Sequence, residues 1–107
     1  MAARRRVPKS TVTERAKRKV TGFPFIIETS ITYSSADRAN PLKYRLQLYH
    51  EATGETLVRY DIHHGKSHHR HFLDKENVEE WQGLDTTIAA FERDVETVKA
   101  RFREGRL

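Results

Sequence analysis

The chain has 107 residues, a net charge of +5 and no cysteine. That length allows one modest core, and the missing cysteine excludes disulfides and thiolate metal sites. No apolar run approaches the ~20 residues that cross a bilayer, and the basic N-terminus lacks the apolar stretch of a secretory signal, so a soluble cytoplasmic protein with no membrane partner is expected.

The charge is unevenly placed. Residues 1–22 carry eight Lys and Arg against Glu14 alone, whereas residues 23–107 carry twelve basic and fourteen acidic groups. Residues 1–22 therefore read as a basic arm, disordered or folded as a short helix over Thr11–Val20, ahead of a single α+β domain at 23–107. Such an arm attracts phosphate backbones without reading sequence; equally, it can be a solvated tail.

Phe23–Tyr33 is rich in β-branched and aromatic residues and predicts a strand. The Ser, Asp, Asn and Pro of residues 34–41 predict a turn or loop. Leu42–His50 alternates, with Leu42, Tyr44, Leu46 and Leu48 forming an apolar row. Glu55–Ile62 is a further strand, and the two form an antiparallel hairpin around Gly54. His68–Leu73 predicts a fourth strand, with His69 and His71 on one face and His68, Arg70 and Phe72 on the other. Asp74–Glu80 reads as irregular. Leu84, Ile88, Phe91, Val95, Val98 and Phe102 recur at three- and four-residue steps, which predicts an amphipathic helix over about 86–104. Asp85 is the expected N-cap and Gly105 the expected stop. The expected fold is an antiparallel sheet of about four strands covered on one face by this helix.

Five of the six histidines fall in the segment YDIHHGKSHHRH, at His63, His64, His68, His69 and His71. Imidazole titrates near neutral pH and can accept a proton, donate one or bind a metal. Three readings compete. In the first, the run performs acid–base chemistry on an RNA phosphodiester. That reaction needs a base for the 2′-hydroxyl, an acid for the departing oxygen and cations for the developing charge. On an extended segment His69 and His71 supply the two imidazoles. Arg59 and Lys66 stabilise charge, as does Arg70, and Asp61 orients an imidazole. Arg70, Tyr60, His68 and Arg45 are the expected RNA contacts. No cofactor is needed. In the second reading, imidazoles and Asp61 bind a metal, although the HExxH pattern is absent. In the third, the histidines are structural; His63 and His64 fit that description best.

The stretch KYRLQLYHEATGETLVRYDIHHGKSHHRHF resembles the signature of the TumE family of toxins. The matching residues are Tyr44, Arg45, Leu46, Val58, Arg59, Tyr60, Asp61, Gly65, Lys66, His69, Arg70 and His71, and the similarity extends over about residues 25–104. The resemblance implies a toxin that acts on RNA or on translation and is silenced by a helix-turn-helix antitoxin. Two departures stand out: Ile62 replaces the family's usual Asn after RYD, and the basic arm is longer than the pattern requires. The combined expectation is a metal-independent endoribonuclease toxin. The alternatives are a non-catalytic module that binds nucleic acid or a partner, and a histidine-rich metal-binding protein.

Overall fold

A computed structural model describes residues 10–62 and 68–107. Among the described residues six strands follow one another in chain order: β1 (Thr11–Lys19), β2 (Phe25–Ser34), β3 (Lys43–His50), β4 (Thr56–Ile62), β5 (His68–Phe72) and β6 (Lys75–Glu79). They form one antiparallel sheet in which every strand pairs with its sequence neighbour. A single helix, α1 (Leu84–Arg103), follows.

The sheet is wider than the four strands expected, and both additions are edge strands. Thr11–Lys19 is neither disordered nor helical. It pairs residue for residue with β2, from Thr11 opposite Ser34 to Lys19 opposite Ile26. A ten-residue helix over Thr11–Val20 with three small apolar residues cannot repay its nucleation cost, whereas the β2 edge offers the segment a full ladder of hydrogen bonds. Lys75–Glu79, expected to be irregular, pairs with β5 instead. Its acidic composition suits a solvent-facing edge, where charge discourages pairing with other chains. The turn into it passes through Leu73, whose φ of 55° is left-handed.

The hairpin of β3 and β4 forms as expected. The amide of Gly54 bonds to the carbonyl of His50 at 2.8 Å, and Gly54 adopts φ 76°, a conformation glycine takes without steric cost. A bulge between Leu48 and Tyr49 interrupts the ladder.

Alternation divides the sheet into two faces. One carries Phe25, Ile27, Ile31, Tyr44, Leu46, Leu48, Val58 and Tyr60, all buried. The helix covers this face with Leu84, Phe91, Val95 and Val98. Phe91 meets Tyr60 edge-on at 6.3 Å, and Phe102 meets Phe25 edge-on at 5.3 Å. The helix begins at Leu84, about two residues earlier than expected. Gly83, not Asp85, is its N-cap, with φ 98° and no side-chain cap bond. Asp85 lies inside the first turn, where a negative charge favours the positive end of the helix dipole. Gly105 ends the helix at φ 71°, and the amide of Arg106 bonds back to Arg101 at 2.8 Å.

Among the described residues no helix lies on the second face. Its rows read Lys17, Glu28, Gln47, Arg59, His71, Glu76 and Arg15, Ser30, Arg45, Asp61, His69, Val78 across β1–β6.

Candidate functional site

β5 decides where the histidines point. Its residues alternate between the two faces, so His69 and His71 share the open face, while His68, Arg70 and Phe72 turn toward the helix. His69 lies opposite Asp61 and His71 opposite Arg59 on β4. On the other side His69 lies opposite Val78, and His71 opposite Glu76 on β6. Both imidazoles are half-buried. Two residues along a strand are about 7 Å apart, a gap that a phosphodiester can bridge.

The open face is wired by ion pairs. Arg59 Nε lies 3.3 Å from Asp61 Oδ2, and Arg45 Nε lies 4.0 Å from the same oxygen. The Asp61 side chain is 11% exposed and that of Arg45 54%. Asp61 therefore organises two guanidinium groups, a different arrangement from the imidazole contact expected of it. The carboxylate beside an imidazole is Glu76, whose Oε2 lies 3.5 Å from His69 Nδ1. Glu76 escaped the sequence reading because residues 74–80 looked irregular. Residues 75–79, Lys-Glu-Asn-Val-Glu, carry one apolar side chain and so no period-two signal of a strand.

Tyr60, His68 and Arg70, expected to contact RNA, lie on the helix-covered face. Tyr60 is 2% and His68 5% exposed. Arg70 Nε donates to Asp94 Oδ2 at 2.8 Å and Nη2 to Oδ1 at 2.9 Å, and the Tyr60 hydroxyl donates to Asp94 Oδ2 at 2.6 Å. Burial and the bond to Asp94 push the Tyr60 hydroxyl well above its ordinary pKa, and the Asp94 carboxylate holds Arg70 firmly protonated. His68 shares a hydrogen bond with the Tyr44 hydroxyl and meets Trp81 edge-on at 5.3 Å. Burial lowers its pKa and favours the neutral ring, although Glu79 and Asp61 pull the other way. These three residues hold β4, β5 and α1 together.

Lys66, His63 and His64 lie outside the described residues. Among the described residues no three His, Asp or Glu side chains gather as a metal-holding group. Among the described residues no helix is long and apolar enough to cross a membrane.

On the far side of β4 from the histidines, the open face carries a depression of about 470 Å³ over β1–β3, lined by Arg15, Lys17, Glu28, Ser30, Arg45 and Gln47 among others. Arg15 and Lys17 belong to the segment read from sequence as an arm. Their odd-numbered spacing was the available sign that they share one face of a strand.

The site thus combines paired imidazoles with organised guanidinium groups on an uncovered sheet face. No curated protein and no solved structure matches the chain. The family model described as toxin TumE matches residues 3–99, and the YRL strand, the RYD strand and the closing His-Arg-His of β5 all fall within the match. The chain belongs to the TumE toxin family.

Proposed function

We propose that the protein is a metal-independent endoribonuclease acting in the cytoplasm as the toxin of a toxin–antitoxin pair, restrained by a helix-turn-helix antitoxin. The observation that carries this reading is the shared outward direction of His69 and His71 beside Arg59. One imidazole takes the proton of the ribose 2′-hydroxyl. The 2′-oxygen then bonds to phosphorus, and the bond to the 5′-oxygen breaks. The other imidazole delivers a proton to that leaving oxygen. The products are a 2′,3′-cyclic phosphate and a 5′-hydroxyl end.

Arg59 and Arg45 face the phosphate and offset the charge that grows on its oxygens. Asp61 keeps both guanidinium groups in place through its contacts at 3.3 and 4.0 Å. Glu76 positions His69. Lys66, two residues before His68 in sequence, supplies a further cation. Tyr60, His68 and Arg70 act as scaffold and leave RNA contact to the open face.

The test is cleavage of a defined single-stranded RNA by purified protein, with analysis of the ends. Cyclic phosphate ends are expected. His69→Ala and His71→Ala are expected to lower turnover by about 10²–10⁴-fold with unchanged circular dichroism. Cleavage of a substrate that lacks the 2′-hydroxyl, or full activity in both variants, would overturn the proposal.

A further inference from the structure

The segment that looks like a tail in the sequence is a strand, and its alternation has a consequence for substrate binding. Arg15, Lys17 and Lys19 occupy odd positions of β1 and face the same side of the sheet as His69 and His71. Lys43 and Arg45 add to that face from β3, and Arg59 from β4. Against these six cations the strands place three carboxylates on the face, Glu28, Asp61 and Glu76. Asp61 is engaged by Arg59 and Arg45, Glu76 by His69, and Glu28 accepts a bond from Gln47 at 3.5 Å. Among the described residues Arg15 and Lys17 have no ion-pair partner, and both are exposed.

These cations line a concave surface. The depression over β1–β3 is bordered by Arg15, Lys17 and Arg45, and β4, with Arg59 and Asp61, separates it from the histidine pair on β5. Tyr49 is half-buried on the same face, next to Gln47 along β3. Strands lie about 4.8 Å apart, so β1 is about 19 Å from β5. That span accommodates roughly four to six nucleotides of one strand. Cations that follow a backbone, together with an aromatic ring on which a base can stack, suit a single strand whose bases are unpaired.

We infer that the open face of β1–β3 is a phosphate-binding subsite that holds the single-stranded RNA flanking the scissile bond, with Arg15 and Lys17 as its outer contacts. This rests on the endoribonuclease reading for the position of the scissile bond, but not for the binding itself. Residues Thr11–Lys19 of the basic segment are thereby part of the sheet's working surface. Their charge sets substrate length, and the chemistry stays with β4 and β5.

The experiment compares wild type with R15Q/K17Q and R15E/K17E. Two readouts are taken. The first is kcat/KM on a ten-nucleotide single-stranded RNA and on a dinucleotide. The second is affinity of the ten-nucleotide RNA and of a duplex of equal length, measured by anisotropy in a His71→Ala background whose turnover is slow on the timescale of the measurement. The expected result is a loss of about 10-fold or more in kcat/KM on the longer RNA with kcat retained, and no change on the dinucleotide. Affinity for the longer strand should fall in parallel, the salt slope should decrease by about 1.4 for two lost phosphate contacts, and the duplex should bind more weakly than the single strand. Equal losses on both substrates, unchanged affinity, or loss only of inhibition by the antitoxin would overturn the subsite. If no variant cleaves RNA yet binding responds as expected, the catalytic reading fails and the subsite stands.

Discussion

Arg70 and Asp94 make a two-bond ion pair, at 2.8 and 2.9 Å, between the middle of β5 and the buried face of the helix. Because strand residues alternate, holding Arg70 inward forces its two neighbours, His69 and His71, outward together. A contact on one face of the sheet therefore sets the geometry of the other. A one-residue slip of β5 would exchange the faces and bury the histidines.

That relationship predicts the effect of breaking the pair. Asp94→Ala leaves a partly buried guanidinium without its carboxylate and removes the acceptor of the Tyr60 hydroxyl. A loss of about 2–4 kcal/mol is expected, together with reduced RNA cleavage. Chemical denaturation checks the stability, and amide spectra of β5 check the register. Asp94→Asn should retain more of both.

His68 predicts a pH dependence of stability. Burial holds its pKa below 6.5 in the folded protein, while the unfolded chain takes up its proton near 6.5. Above that pH neither state is charged at this ring and its contribution is complete. As pH falls below 6.5 the unfolded state binds more protons, so stability falls, and the loss ends once pH drops below the folded pKa. Denaturant melts at pH 7.5 and 5.5 should differ less in His68→Gln than in wild type.

Glu14 clamps the edge strand. Arg38 donates to both of its carboxylate oxygens at 3.1 and 2.9 Å, and the Tyr33 hydroxyl donates at 2.6 Å. The bonds from Arg38 and then Tyr33 lower the Glu14 pKa from 4.5 to about 2. The stabilisation is therefore complete above about 4.5 and is lost as pH falls toward 2. The group is exposed, so the global effect is small. Its local effect should appear as faster hydrogen exchange across Thr11–Lys19 in Glu14→Gln at neutral pH.

The proposed chemistry predicts a bell-shaped dependence of kcat/KM on pH, since one imidazole must be neutral and the other protonated. Activity should persist in EDTA. Cleavage that is abolished by EDTA and restored by one divalent ion would replace the two-imidazole mechanism with a metal-assisted one.

Glu76→Gln is expected to lower turnover by several-fold, up to about tenfold, by releasing His69 from a contact of 3.5 Å, with KM for the longer RNA nearly unchanged. A change confined to KM would place Glu76 in substrate binding instead.

Local information determined much of this protein. The period-two rows of β3 and β4, the Gly54 turn and the three-and-four stripe from Leu84 to Phe102 each specify an element without help from the rest of the chain. So did the division of β5, because alternation follows from the pleat alone. The tertiary structure decided what the edges became and which polar groups met. Thr11–Lys19 and Lys75–Glu79 have little apolar pattern of their own, and they are strands because an already formed sheet presents unpaired backbone to them. Tertiary packing also assigned Arg70 to Asp94, residues 24 positions apart that meet only after sheet and helix have closed on a common core, whereas Glu76 reaches His69 across the β5–β6 hairpin once β6 has joined the sheet.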